Sequence, residues 1–355
     1  MKRIYLHKRT EIPFFFRQST DDFVVTERFS SFNEKGNYLI IEVQKQNLTT
    51  LELIKILEDF TQCFSIGYAG LKDKKATTTQ YLSLPLKFSK KLKEFKHPQI
   101  KILNTFRHDQ KISMGDLEGN HFFIRLKQVN EAANVQLQER LNMIQKEGMP
   151  NYFGYQRFGN DADNFDKSKE VAHGELHVKD KKMHKLLSNI YQSYLYNQWL
   201  VSRITFSEDI AKLEEAQLLE KYHLKSDLIP MLKNQPFVFK VLPGDILLDK
   251  STKKWINVTD LQEVRKGLKQ QKLVPTGLLA GKKAWRAQAD AAMFEEPCDD
   301  LLVDAKGERR PAWVYPKEIK QHYNGKEQFF ELSFFLPKGA YATVLLEDLA
   351  NRNLK

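Results

Sequence analysis

Two short runs near the start of the chain, Asp22-Phe-Val-Val-Thr-Glu27 and Tyr38-Leu-Ile-Ile-Glu-Val43, are dense in β-branched and aromatic residues and read as strands. A helix follows them. Its start is written as Thr49-Thr-Leu-Glu52, a capping box in which Thr and Glu satisfy each other's backbone N–H groups, and Leu53, Ile54, Leu57 and Phe60 continue at helical spacing. A strand near 65–68 then delivers a turn from Gly70 to Asp73, and 81–84 reads as the next strand. Asp73 therefore falls on a loop between extended runs, where a rigid scaffold often presents catalytic groups.

That loop is Gly67-Tyr-Ala-Gly-Leu-Lys-Asp-Lys-Lys-Ala-Thr-Thr-Thr-Gln80. One carboxylate sits among Lys72, Lys74 and Lys75, and nearby cations favour its charged form. Such a group suits nucleophilic work on a polyanion, with the lysines holding phosphates and the carboxylate attacking. The bland reading is a lysine-rich turn with one solvated acid. Between residues 71 and 101, Lys72, Lys74, Lys75, Lys87, Lys90, Lys91, Lys93, Lys96 and Lys101 stand against Asp73 and Glu94 only. The net charge of +11 favours acidic partners such as nucleic acid or an anionic membrane. A basic stripe beside a candidate active site is better explained by phosphate contacts than by a solvated face.

Further along, 121–129 reads as a strand and 131–147 as a helix that Gly148 caps. A long helix over 183–204 has Leu187, Ile190, Tyr194, Gln198 and Val201 on one face, and Thr259-Asp-Leu-Gln262 opens another helix with a capping box. A strand over 329–336 and a short helix over 340–349 end the pattern. Residues 160–311 are richer in helix and poorer in clear strands than their flanks, which predicts a second domain, either following the first or inserted into it.

Two other segments carry candidate chemistry. In Arg107-His-Asp-Gln-Lys-Ile-Ser-Met-Gly-Asp-Leu-Glu-Gly-Asn-His-Phe-Phe-Ile-Arg125, Gly115, Gly119 and Asn120 mark tight turns. Phe122 and Phe123 point to opposite faces of a strand, one for the core and one free to stack on an unpaired base. Pro150-Asn-Tyr-Phe-Gly-Tyr-Gln-Arg-Phe-Gly159 combines aromatics with Gln156 and Arg157, which turns at Gly154 and Gly159 would bring to a phosphate or base edge; the alternative is a hinge packed by its own aromatics. Cys63 and Cys298 form no metal spacing. His173-Gly-Glu-Leu-His177 lacks the zincin order and reads as a surface helix turn, and Gly277-Leu-Leu-Ala-Gly-Lys-Lys283 is not a phosphate-binding loop. No metal, nucleotide or flavin motif is visible, so the expected chemistry is one that side chains perform alone. The basic start lacks a signal-peptide core and no apolar run has the length of a membrane span, which makes a cytoplasmic protein the expectation.

Together these segments resemble the TruD family of pseudouridine synthases over nearly the whole chain. Gly70-Leu-Lys-Asp-Lys-Lys-Ala-Thr-Thr-Thr-Gln80 is similar to the family's A-G-x-K-D-K-x-A-x-T-x-Q motif, with Asp73 at the catalytic aspartate. Asp22-Phe-Val-Val, Gly119-Asn-His-Phe122, Asn151-Tyr-Phe-Gly-Tyr-Gln-Arg-Phe-Gly159, Tyr194-Leu-Tyr-Asn-Gln198 and Leu336-Pro-Lys-Gly-Ala-Tyr-Ala-Thr343 match further blocks in order.

The resemblance implies an α+β fold: a pseudouridine synthase core with a mixed, mainly antiparallel sheet and flanking helices, split over 1–155 and 315–355, with an α/β domain inserted at 156–314. It implies isomerisation of uridine 13 of tRNA to pseudouridine by an aspartate nucleophile, with the target base flipped into a cleft between the domains. No cofactor and no metal are implied. tRNA is the expected partner, with no membrane and a monomeric state. Asp73 is then catalytic, either attacking C1′ or assisting removal of a sugar proton. Arg17, Lys72, Asn120, Phe122 and Arg157 are the expected substrate-binding residues, Arg17 standing where familiar bacterial members have Lys and Phe122 where other pseudouridine synthase families have Tyr. The rivals are a non-catalytic RNA-binding protein or chaperone on the same scaffold, which would gain nothing from Asp73, and an enzyme of the same chemistry acting on other RNAs.

Overall fold

A computed structural model of the chain describes residues 3–6, 10–16, 19–158 and 163–354. It divides into two compact units. One comprises residues 10–145 and 316–342; the other takes 146–315, 343–355 and the described residues of 1–9. Arg17 lies outside the described residues, as does Gly159.

The first unit is built on a sheet. Strands β1 (Phe23–Arg28), β2 (Tyr38–Gln46), β3 (Gly67–Tyr68), β4 (Thr77–Pro85), β5 (Ile100–His108) and β6 (Gly119–Lys127) join a hairpin of Lys317–Asn324 and Phe329–Pro337 in an eight-stranded sheet. From the hairpin the order runs β6, β1, β4, β2, β5, with β3 also paired to β4. β1 and β4 are parallel, and the other pairs are antiparallel. The sheet is thus mixed and mainly antiparallel, as expected.

Residues opposite one another on neighbouring strands point to the same face. Val25 lies opposite Phe122 of β6 and Thr78 of β4, and Thr78 lies opposite Lys45 of β2. One step along, Glu27 lies opposite Asn120, and Asn120 opposite Leu336. One face of the sheet therefore carries Phe122, Val25, Thr78 and Lys45 in one row, with Asn120, Glu27 and Gln80 in the next.

The helix α1 (Thr50–Thr61) covers the apolar end of this face. Leu53, Ile54 and Leu57 pack on Leu39, Ile41, Val43, Leu82 and Leu84. Each such fully buried side chain is worth about 1.5–3 kcal/mol relative to exposure. The expected capping box forms: Thr49 Oγ1 accepts from Glu52 N at 3.1 Å, and Glu52 Oε2 accepts from Thr49 N at 2.6 Å.

The second unit centres on the helix Lys181–Lys212. The amphipathic face expected there is largely the wrong one: of its five residues only Ile190 is buried. Trp199, Tyr196, Leu195, Leu200 and Ile204 are buried, whereas Leu187, Tyr194, Gln198 and Val201 are only half-buried. The buried side of this helix also carries Ser188, Gln192, Asn197, Arg203 and Ser207, so a search for an apolar stripe passes over it. This unit also holds more strand than expected. Ile246–Asp249, Trp255–Asn257, Leu273–Leu279 and Glu308–Pro311 form a four-stranded antiparallel sheet. The helix Leu261–Lys269 is capped by Asp260, whose side chain accepts from Gln262 N, and not by the Thr259 box. Among the described residues, no helix is long and apolar enough to cross a membrane.

Candidate active site

Asp73 lies exposed on the loop between β3 and β4, as expected. Hydrogen bonds from several directions fix that loop. The Lys72 backbone N–H donates to Thr50 Oγ1 at 2.8 Å, and that hydroxyl donates to Gln80 Oε1 at 3.0 Å. Lys72 Nζ donates to Glu27 Oε1 at 2.6 Å, while Glu27 Oε2 accepts from Tyr81 N at 2.9 Å. Lys45 Nζ donates to the Asp73 carbonyl at 2.9 Å and to the Leu48 carbonyl at 2.5 Å. Lys74 reaches Glu52 at 2.8 Å.

The cations around Asp73 are thus in part committed to carboxylates of the protein. The Lys72 and Glu27 side chains are 6% and 0% exposed, so Lys72 is held in a buried ion pair rather than offered to solvent. Lys74 and Glu52 remain exposed, and the Lys74 ammonium, then the Thr49 cap, lowers the Glu52 carboxyl to about 2. Burial brings the Lys45 amine down from 10.5 to about 8, against the pull of Asp73 and with help from Lys72. Lys75, Lys87, Lys90, Lys91, Lys93, Lys96 and Lys101 are all exposed.

Asn120 and Phe122 lie on the same sheet face as Glu27. Asn120 Oδ1 is buried and has no hydrogen-bond partner among the described residues. Phe122 is the buried member of the Phe122–Phe123 pair, 8% exposed, stacked on Phe334 at 5.3 Å and edge-on to Phe23 at 6.2 Å. Gly119 and Asn120 do not form the expected turn. Gly119 opens β6, and a Cβ there would fall 2.1 Å from the Leu336 carbonyl oxygen, so close backbone approach is what calls for glycine. Gly115 does sit in a turn with φ +94°.

Arg157 belongs to the second unit, so the expected site residues are divided between the two. Its Nε donates to Ser193 Oγ at 3.2 Å, and its guanidinium lies 5.6 Å from the Phe153 ring centre. The segment before it is fastened internally. Asn197 both accepts from Phe153 N and donates to Phe153 O, and the Arg310 guanidinium stacks 3.9 Å from the Phe153 ring centre. His173–His177 does form a turn at the end of the helix Asp163–Ala172, exposed from Gly174 on, but the His173 ring is tucked in and pairs with Asp300 at 2.7 Å. Among the described residues, no group of three or more His, Cys, Asp or Glu could hold a metal ion.

Glu27, Lys45, Thr50 and Gln80 were not singled out from the sequence, yet they hold the Asp73 loop. A signal existed for the charged ones. Glu27 falls in phase with the core residues Phe23 and Val25, and Lys45 in phase with Ile41 and Val43. A charge at a core position of an alternating strand needs a partner.

The family model described as tRNA pseudouridine synthase D (TruD) matches residues 2–164 and 163–349. A protein from Wolinella succinogenes named tRNA pseudouridine synthase D is 42% identical over 360 residues, covering 100% of this chain and 99% of the relative. One of the same name from Nitratiruptor sp. is 41% identical, again covering 100% and 99%. A crystal structure from Methanosarcina mazei, described under the name tRNA pseudouridine synthase D (TruD), matches with a TM-score of 0.65 at 23% identity, covering 99% of this chain and 96% of that one; it speaks for the fold.

Proposed function

Because the chain belongs to the tRNA pseudouridine synthase D family, we propose that it converts uridine in tRNA to pseudouridine, at position 13, with Asp73 as nucleophile and without a cofactor. The observation that carries this reading is one of register. Glu27, which grips the Asp73 loop through Lys72, is the cross-strand partner of Asn120. The loop with the carboxylate and the strand with the base-pocket candidates are thus fastened to the same point of the sheet.

In this reading the exposed lysines draw the tRNA backbone, so affinity falls with added salt. The target nucleotide leaves the stack, and its uracil lies against Phe122. Asn120 Oδ1, a buried acceptor without a partner among the described residues, takes the N3–H of the base. Asp73 attacks C1′ and the N1–C1′ bond breaks, its electron pair passing to the base. The base turns, C5 bonds to C1′ and the carboxylate leaves. C5 then loses its proton and N1 gains one, so the atoms of the nucleotide are unchanged. In a variant of the same scheme Asp73 takes a sugar proton as the N1–C1′ bond breaks and returns it to the sugar when C5 bonds to C1′. Arg157 and Arg17 are assigned to flanking phosphates. Lys72 serves the substrate indirectly, by holding the loop. Residues 1–155 with 315–355 are taken as the catalytic domain and 156–314 as the insertion.

Tritium release from tRNA labelled at uridine C5 tests the assignment. Wild type should release label, and Asp73→Asn should not, while still binding tRNA; loss of base function alone costs about 10²–10⁴ in rate. Near-normal release by Asp73→Asn would remove Asp73 from the chemistry. Substrates with cytidine at position 13 test the site: continued release would refute that position.

A further inference from the structure

We propose that Lys45 is a positioning residue for the Asp73 loop, its buried amine clamping the loop to the start of α1. The inference rests on the catalytic reading of Asp73 above.

Lys45 lies near the end of β2, in phase with Ile41 and Val43 and opposite Thr78 of β4. It is wholly buried, which is rare for lysine. Its amine donates to two backbone carbonyls. One belongs to Asp73, and the other to Leu48, which immediately precedes the capping residue Thr49 of α1. One side chain therefore joins the residue that carries the nucleophile to the segment that begins the helix. The Lys72 N–H donates to Thr50 Oγ1, so the loop is clasped to the helix start at consecutive residues.

Burying a lysine is costly, and a simpler core would place an apolar residue there. What the amine adds is geometry. It fixes the Asp73 peptide by its carbonyl, which limits where the carboxylate stands. Misplacement of a reacting group by about 1 Å costs on the order of 10²-fold in rate. The charged groups facing the amine are Asp73 and Lys72 from the loop and Glu52 from α1, so its cation also stands beside the nucleophile. Being sealed from solvent, Lys45 does not meet tRNA phosphates. This separates it from the exposed lysines of the same stretch.

The test compares Lys45→Met, of similar length but without donors, with wild type and Asp73→Asn under saturating and limiting tRNA. The expected result is a fall in kcat of about tenfold to a hundredfold, with KM and its salt dependence within about twofold of wild type. Hydrogen exchange of the peptide over residues 70–76 should quicken while that of β1 and β6 does not. Unchanged kcat with a lower melting temperature would reduce Lys45 to a structural role and overturn the inference. A raised KM with steeper salt sensitivity would make it a phosphate ligand, and also overturn it. Should Lys45→Met fail to fold, Lys45→Gln is judged by the same rule. Normal turnover by Asp73→Asn would sink the catalytic reading and this inference together; an inactive Asp73→Asn beside a fully active Lys45 variant would sink this inference alone.

Discussion

The Lys72 ammonium stands 2.6 Å from the Glu27 carboxylate, and the two side chains are almost wholly removed from solvent. They are 45 residues apart in sequence: Glu27 stands on β1, and Lys72 on the loop that leads into the neighbouring strand β4. The residue beside the proposed nucleophile is thus pinned to the strand next to the proposed base pocket.

Breaking one side of a buried pair leaves an uncompensated charge. Glu27→Ala should destabilise the protein by about 3–5 kcal/mol, and Glu27→Ala combined with Lys72→Met should recover a large part of that loss. Urea unfolding of the single and double variants reads both numbers. If the double variant is no more stable than Glu27→Ala, the pair is not what Glu27 contributes.

Lys45 makes a signed prediction for pH. Burial lowers its amine from 10.5 to about 8 in the folded protein. Between those values the unfolded chain holds a proton that the folded one has released, so stability rises with pH there, and below the folded value the cost of the buried charge is fully present. The difference in unfolding free energy between wild type and Lys45→Met should therefore move in favour of wild type between about pH 7.5 and about pH 9.5. An equal difference at both would mean that the buried amine does not titrate in this window.

Much of the sheet unit was legible because its signals are local. Thr49 and Glu52 form the box that their spacing announces, and the loop around Asp73 falls between the strands that alternation marks. What escaped was non-local. Nothing near Lys72 names Glu27 as its partner, since the contact needs both the β1–β4 pairing and the path of the loop before β4. In the second unit the strand Leu273–Leu279 contains Pro275 and Gly277, which usually argue against a strand interior. Gly277 is tolerated because Trp199 fills the space a side chain would take. The roles of Asn120 and Phe122 came only by resemblance; their shared face with Glu27 emerged from the pairing.

Gly119 should tolerate no side chain. Its would-be Cβ meets the Leu336 carbonyl oxygen at 2.1 Å and the Phe335 ring at 2.6 Å. Gly119→Ala must push β6 from its neighbour beside Asn120, at a cost of about 1–3 kcal/mol. The melting temperature should drop, and turnover should fall further than the melting temperature explains at an assay temperature where the fold is intact. Wild-type melting would show that the strands part more easily than their packing implies.

Phe122 needs a variant that separates packing from base contact. Its ring is sandwiched against Phe334 and edge-on to Phe23, so Phe122→Ala would cost about 3–5 kcal/mol of stability by cavity formation alone. A loss of activity in that variant would say little about stacking. Phe122→Leu keeps most of the volume but offers no π-face to a uracil. Base–aromatic stacking is worth about 1–3 kcal/mol per base, which corresponds to a fall in kcat/KM of roughly fivefold to 150-fold. That fall, measured on Phe122→Leu with melting near wild type, would tie the ring to the flipped base. Unchanged kcat/KM would leave Phe122 a core residue and move the search for the base's wall elsewhere on the same sheet face.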